Sequence, residues 1–244
     1  MNKLLSIFQR KKVIDTSLWV DVHSHLIPGI DDGASDIEES MKLIHALVAL
    51  GYNKIITTPH IMHGQYANTP TNIKIGLELL KQRIYDEKID VKIEAAAEYY
   101  LDEGFLKHLS RDDILTIDGS YILFETSYSL KPLYFESMVY EMSASGYKPL
   151  LAHPERYRYI RDYSKDYIAL KEMGIYFQVN INSFGGHYGK DAQKKALFLS
   201  KHGMIDVLGT DAHHIKQLES IKNLKNKRVY LDIFKRNKIL NNTF

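Results

Sequence analysis

Short apolar segments rich in β-branched and aromatic residues alternate with amphipathic segments along most of the chain. Seven of the apolar segments predict strands, at residues 19–23, 54–58, 91–95, 121–125, 149–153, 175–179 and 205–209. Between them, apolar residues recur at helical spacing, and glycines such as Gly51 and Gly174 follow the last helical turn. Repeated strand–helix units indicate parallel strands joined by crossover helices. The pattern therefore predicts an α/β fold, a closed or nearly closed seven-stranded βα barrel.

The same pattern places five helices between the strands. Asp36 is followed three residues later by Glu39, a capping signal for a helix that ends at Gly51. The other four predicted helices cover residues 71–87, 132–144, 166–173 and 191–202. Because no linker-like stretch interrupts these units, we predict one barrel domain over residues 19–244, with residues 1–18 as an N-terminal extension.

The C-terminal part of this domain is a basic helical segment. Residues 222–238 contain seven Lys or Arg side chains and a single acidic one, Asp232. We interpret the segment as a solvated helix face, with an acidic membrane surface or a polyanion as the alternative partner.

Composition narrows the chemistry that the chain can perform. Its 244 residues include 11 His and no Cys, and 32 basic and 30 acidic side chains leave a net charge of +2. Without Cys there is no disulfide, thiolate metal site or cysteine nucleophile. The balanced charge argues against a nucleic-acid partner, and no apolar run approaches the roughly 18 residues of a membrane span. We expect a cytoplasmic protein whose metal ligands, if it has any, are nitrogen and oxygen atoms.

Ionisable side chains gather at the ends of the predicted strands, which form one rim in a βα barrel. His23 and His25 alternate along the first strand end, so both rings face the same side and can reach one ion. Burying many such groups together is unfavourable unless they are paired or bind cations, so we predict a site with more than one metal ion. The other strand ends contribute Asp31, Asp32, His60, Glu98, Glu125, His153, Glu155, Arg156, Asn180, Asn182, Asp211 and His213.

These motifs resemble the polymerase and histidinol phosphatase (PHP) superfamily, over residues 20–214. The segment at residues 21–33, with its His-x-His pair and Asp-Asp-Gly turn, looks closest to the bacterial protein-tyrosine-phosphatase branch associated with capsule and exopolysaccharide assembly. The Thr-Thr-Pro-His, His-Pro-Glu-Arg and Gly-Thr-Asp-Ala-His segments that end at His60, Arg156 and His213 match as well. The sequence departs from the family pattern at Ile61, where many members have a second histidine, and in its longer N-terminal segment.

The resemblance implies a distorted seven-stranded TIM-like barrel of the PHP fold with two or three divalent ions. Manganese is the expected metal, with iron, zinc or magnesium as alternatives. Arg156 matches the arginine that holds substrate phosphate, and His60, Asp211 and His213 join it as candidate catalytic residues. The implied ligands are His23, His25, Glu98 and Asp211 for one ion, Glu98, Glu125 and His153 for a second, and Asp32, His60 and His213 for a third.

The implied reaction is hydrolysis of protein phosphotyrosine by a metal-bridging hydroxide. The expected substrate is a phosphotyrosine protein, for instance a membrane-associated tyrosine kinase of polysaccharide export, and the chain is compatible with a homo-oligomer. The absence of Cys excludes a cysteinyl-phosphate route. Two alternatives stay open: a small-molecule phosphatase similar to histidinol-phosphate phosphatase, and a noncatalytic metal-stabilised docking scaffold.

Overall fold

The computed structural model describes residues 14–111 and 113–244, so residues 1–13 of the predicted extension lie outside the described residues. Within these ranges the strands are β1 (Val20–Asp21), β2 (Lys54–Thr57), β3 (His60–Ile61), β4 (Lys92–Ala95), β5 (Glu98–Tyr100), β6 (Tyr121–Glu125), β7 (Lys148–Ala152), β8 (Tyr176–Asn180) and β9 (Val207–Gly209). The α-helices are α1 (Ile37–Ala49), α2 (Pro70–Asp86), α3 (Glu103–Arg111), α4 (Phe135–Ala144), α5 (Tyr163–Glu172), α6 (Gly189–Lys201), α7 (Ile215–Lys225) and α8 (Arg228–Arg236).

The strands form two parallel sheets, and a closed seven-stranded barrel is not confirmed. One sheet has three strands in the order β1-β2-β4, and the other has six in the order β3-β5-β6-β7-β8-β9. The sequence pattern does not predict β3 and β5, which continue the second and third predicted strands after short interruptions. The first interruption contains Pro59, which lacks the N–H that a central strand needs for its ladder.

Hydrogen bonds beyond the strands bring the first and last of them together. Ser24 and Ala212 form an isolated parallel bridge. Beside it, the N–H of Asp211 donates to the carbonyl of His23 at 2.8 Å, and the N–H of His25 donates to the carbonyl of Ala212 at 3.0 Å. The residues that follow β1 and β9 therefore lie next to each other at the carboxyl ends of the strands.

The core is divided by the sheets, as alternating strand side chains require. Leu123, Leu150 and Val207 belong to a small buried cluster on one face of the strands. Their neighbours Phe124 and Leu151 belong to the large cluster packed against the helices. Both faces of the central strands are thus buried, which is typical of parallel sheets covered by crossover helices.

The predicted helices are present with small shifts at their ends. Asp36 caps α1 by accepting a hydrogen bond from the N–H of Glu39 at 2.9 Å, and α2 begins one residue before the predicted start. The helix predicted from residue 132 begins at Phe135, and α3 is not predicted by the pattern. None of the helices within the described ranges is both long and apolar enough to cross a lipid bilayer.

Candidate metal centre

All nine predicted ligand side chains converge at the carboxyl ends of the strands. They fall into four overlapping groups, and within each group the candidate ligand atoms lie within 4.8 Å of one another. The groups are His25, Asp32, His60 and His213; His23, Glu98 and His153; His23, His25 and Asp211; and His60, Glu98 and Glu125. The overlaps at His23, His25, His60 and Glu98 suit a cluster in which neighbouring ions share ligands.

Glu98, the first residue of β5, lies at the centre of these groups and is almost fully buried. Its Oε2 lies 3.2 Å from His23 Nε2 and 3.2 Å from His60 Nδ1. Its other oxygen, Oε1, lies 2.9 Å from His153 Nε2. One carboxylate therefore faces three imidazoles from three different strand ends, the arrangement expected of a bridging ligand.

Asp211 and His153 hold their positions with unusual backbone conformations. Both are non-glycine residues in the left-handed region, with φ of 50° at Asp211 and 32° at His153. Such conformations cost about 1–3 kcal/mol each and persist where the surrounding structure fixes them, often at functional sites. Asp211 Oδ1 lies 3.5 Å from His23 Nε2, so the strained turn aims this carboxylate into the cluster.

Asp32 forms the outer edge of the cluster. Its Oδ1 lies 3.4 Å from both His60 Nε2 and His213 Nε2, and its side chain is 52 % exposed. Hydrogen bonds from His213 and His60 hold the pKa of Asp32 well below its usual range. The carboxylate is therefore ionised at the solvent-facing side of the site.

Opposite charges dominate the electrostatics of the buried ligands. Burial alone would lower the pKa of His23, but the carboxylates of Glu98 and Asp211 raise it to about 9. Burial likewise opposes ionisation of Glu98, yet His23 and His60 hold its pKa well below the ordinary value. Without a cation His23 therefore carries a proton at neutral pH, and metal binding at its ring would release that proton.

The orientation of the imidazoles fits metal binding. His23 Nδ1 donates to Gln178 Oε1 at 2.7 Å, and His25 Nδ1 donates to Asp31 Oδ2 at 2.8 Å. The two Nε2 atoms consequently face each other at 3.3 Å, so a proton on His23 can bridge them without metal and a cation could take the place of that proton. His60 Nδ1 is buried 3.2 Å from Glu98 Oε2, but the angle of that contact does not make it a hydrogen bond. This nitrogen and oxygen donor set fits divalent ions.

Three residues beside the ligands support the site; the sequence pattern places Asp31 and Asn180 at the strand ends but does not single out Gln178. Asp31 and Gln178 orient His25 and His23 through the hydrogen bonds above, and such partners fix the tautomer of metal-binding histidines. Asn180 donates to Asp211 Oδ2 at 2.6 Å. Alternation along β8 puts Gln178 on the same side of the strand as Asn180, which is the one sequence signal that could have indicated Gln178.

Arg156 lies beside the ligand cluster in a short helical turn that follows β7. Its guanidinium is held between the rings of Tyr128 and Tyr188, at 4.5 and 4.4 Å from their centroids. Nη1 donates to Asp211 Oδ2 at 3.1 Å, and the side chain stays 23 % exposed. Together with His153, Asp211 and His213 it lines a cavity of about 270 Å³. The fixed guanidinium can thus present its free N–H groups to an anion in that cavity.

We expect Gly209→Ala to disturb this site through packing. An added Cβ would lie 2.4 Å from Gln178 Nε2 and 2.8 Å from His23 Cβ. Such overpacking typically lowers the free energy of unfolding by about 1–3 kcal/mol, and displaced ligand supports weaken metal binding by about 10–100-fold. Thermal unfolding and a calorimetric manganese titration measure both effects. Gly185→Ala is the control, since its nearest atom is 4.0 Å away; equal metal affinity in the two variants would refute the prediction.

The sequence of this chain is similar to one family model and to several bacterial tyrosine-protein phosphatases. A family model described as capsular polysaccharide synthesis, CpsB/CapC, matches residues 19–232. The chain is 32 % identical over 198 residues to the tyrosine-protein phosphatase YwqE of Bacillus subtilis. This alignment covers 81 % of this chain and 78 % of that protein. It is 28 % identical over 204 residues to the tyrosine-protein phosphatase CpsB of Streptococcus pneumoniae, covering 80 % and 83 % of the two chains.

The fold is similar to a solved structure of the same group. The match is to a crystal structure from a study of YwqE and CpsB, described there as unique metal-dependent tyrosine phosphatases, with a TM-score of 0.77 and 28 % sequence identity. It covers 90 % of this chain and 96 % of the other.

Proposed function

The chain belongs to the CpsB/CapC family of capsular polysaccharide synthesis, and we propose that it is a metal-dependent tyrosine-protein phosphatase. The observation that carries the proposal is the position of Arg156, whose guanidinium shares one cavity with His153, Asp211 and His213. A noncatalytic metal-stabilised scaffold would not need a desolvated cation aimed at the same space as the ligands. Hydrolysis of a phosphomonoester needs this combination.

We propose that two or three ions, manganese in the first place, are held by the nine clustered side chains. Glu98 would be the shared ligand, since it is the one carboxylate common to two of the groups and has two oxygen atoms to offer. When bound, divalent ions lower the pKa of a coordinated water toward about 7 and polarise phosphate oxygens. The bridge between Ser24 and Ala212 supports the further proposal that the two sheets act as one distorted barrel around this centre.

The protein's own side chains would position the substrate. Arg156 binds the phosphate through two parallel N–H donors, while Asp211 and the tyrosine rings keep its planar group in a fixed orientation. A phenolic leaving group has a pKa near about 10 and needs less assistance from an acid than an alkyl alcohol does. His60 or His213 would hold a proton near the leaving oxygen only through a ring nitrogen that does not bind metal.

The biological setting is part of the same proposal. We propose a phosphotyrosine protein as the substrate, for instance a membrane-associated tyrosine kinase of polysaccharide export, and a cytoplasmic location for the reaction. Residues 19–244 would act as one catalytic domain, with residues 1–18 as an extension, and nucleic acid is not expected as a partner.

Metal removal tests the function directly. After exhaustive chelation, hydrolysis of a phosphotyrosine peptide and of p-nitrophenyl phosphate should fall by at least about a hundredfold, because several kcal/mol of transition-state stabilisation is lost. Added manganese should restore both rates. Phosphate release is measured, with histidinol phosphate as the competing substrate. Full activity in the chelated protein, or histidinol phosphate turned over faster than the phosphotyrosine peptide, would overturn the proposal.

A further inference from the structure

A second and wider cavity opens directly beside the metal centre. Its volume is about 780 Å³, and it shares Asp32, His60 and Tyr128 with the smaller cavity that contains Arg156. Its sides are the loop after β3 and the residues that follow β6, and its far end is the start of α3. We call it the flanking groove and define it by Tyr66, Tyr100, Asp102, Glu103, Ser127 and Tyr128.

The relative sizes of the two cavities suggest how a large substrate lies across them. The smaller one, of about 270 Å³, is at the lower end for a ligand site, whereas the groove is near the upper end of the usual range. A phosphate on Arg156 would occupy part of the smaller cavity, close to the metal ligands. A phosphotyrosine within a protein is joined to main chain on both sides, so the adjoining groove is the available path for that chain.

The charged side chains that line the flanking groove are mainly acidic. Among the described residues that line it, four are carboxylates and none is Lys or Arg. Asp32 and Glu125 belong to the metal centre, where ions would neutralise them, but Asp102 and Glu103 lie at the other end. Asp102 is held as a helix cap, with its Oδ1 accepting from the N–H of Gly104 at 2.7 Å. Glu103 is exposed and forms no ion pair within the described part of the chain. Negative charge therefore persists at the far end when metal is bound.

Tyrosine rings form much of the remaining wall. Tyr66 stacks on His60 with ring centroids 5.2 Å apart and an angle of 10° between the planes, and Tyr100 and Tyr128 line the groove beyond it. The faces of tyrosine rings attract Lys and Arg side chains, and the apolar stems of those side chains pack well against aromatic surfaces. Aromatic walls and an acidic end together form a surface complementary to a basic side chain.

We propose that the flanking groove binds the polypeptide next to the phosphotyrosine and selects substrates that carry Lys or Arg close to it. This inference rests on the proposed phosphatase function and adds a sequence preference to it. Glu103 is the residue that determines the preference, because its carboxylate is free of both the metal centre and the helix cap.

Three phosphotyrosine peptides of equal length, with Lys, Ser or Glu at the flanking positions, test the preference with manganese-loaded protein. At low ionic strength we expect kcat/KM for the Lys peptide to exceed that for the Glu peptide by about fivefold, the scale of an exposed charge pair. The ratio should shrink in high salt. In the variant Glu103→Lys the preference should reverse, while hydrolysis of p-nitrophenyl phosphate, which carries no flanking polypeptide, stays at the wild-type rate.

The matched control is Glu172→Lys, the same charge change at an exposed position at the end of α5. It should leave the peptide preference as in the wild type. Equal kcat/KM for all three peptides, or the same ratio in Glu103→Lys as in the wild type, would overturn the groove assignment while leaving the phosphatase proposal intact. If manganese-loaded wild-type protein hydrolyses neither the peptides nor p-nitrophenyl phosphate, the phosphatase proposal itself fails, and this inference with it.

Discussion

Replacing Glu98 with Gln is expected to reduce phosphatase activity by about a hundredfold or more, because metal ions supply several kcal/mol of transition-state stabilisation. Gln keeps the size and shape of the side chain but loses the negative charge. Since Glu98 Oε2 lies 3.2 Å from both His23 and His60, the change removes the charge that two groups of ligands share. The variant should bind less metal per chain and remain folded, because Gln fills the same space as Glu.

Three measurements separate loss of the site from loss of the fold. Phosphate release from p-nitrophenyl phosphate gives the activity, elemental analysis gives the metal content, and circular dichroism on heating gives the stability. Glu94→Gln is the matched control, since Glu94 lies on β4 and its ion pairs within the described residues are with Lys54 and Lys92, away from the ligand cluster. A fully active Glu98→Gln protein with wild-type metal content would contradict the assignment of Glu98 as a bridging ligand.

Replacing Arg156 is expected to have the next largest effect. Arg156→Ala removes charge-assisted hydrogen bonds of about 1.5–3 kcal/mol each, so kcat/KM should fall about a hundredfold. Arg156→Lys should restore little of this loss, because an ammonium can neither form two parallel bonds to phosphate nor stack between two rings in the same way. The rings of Tyr128 and Tyr188 lie within 4.5 Å of the guanidinium carbon, so the geometry is specific to a planar group.

The metal content distinguishes a phosphate-binding role from a structural one. Arg156→Ala should keep its metal, and inhibition by inorganic phosphate should weaken in parallel with the loss of kcat/KM. Arg158→Ala, two residues further on and exposed, should behave as the wild type. If Arg156→Ala loses metal, or if phosphate inhibits it as strongly as the parent, then the arginine supports Asp211 and does not bind the substrate.

The sequence predicts the candidate site better than it predicts the sheet around it. The nine ligand side chains lie at the ends of the predicted strands or in the segments just after them, so their convergence is expected from parallel topology. The arrangement of the strands in two sheets depends on β3 and β5, which are too short for the sequence pattern to reveal. β3 contains only His60 and Ile61, and β5 begins at Glu98, a residue type that is rare in strands. Two short strands of this kind give no detectable alternation, and their presence divides the expected barrel into two sheets.

The residues around Arg156 could not be predicted for a different reason. Tyr128 and Tyr188 come from loops after β6 and β8, and loops carry no periodicity that fixes the direction of a side chain. Their approach to one guanidinium depends on tertiary packing. The role of Gln178 could not be predicted from the sequence either. An amide on a buried strand can be assigned as the partner of a histidine only when the structure shows which histidine it contacts.

The junction between the first and last strands has a consequence for how the protein is made. Thr210 Oγ1 donates to the carbonyl of His23, a residue 187 positions earlier in the chain, and Asp211 and His213 follow directly. During synthesis the candidate ligands from His23 to His153 leave the ribosome before Asp211 and His213 do. A nascent chain therefore has an incomplete set of ligands, which would bind metal weakly. Contacts this distant in sequence also form late, because closing a long loop costs entropy before any contact repays it. If these residues bind metal as proposed, full metal affinity would arise only after Asp211 and His213 have been synthesised and have reached His23.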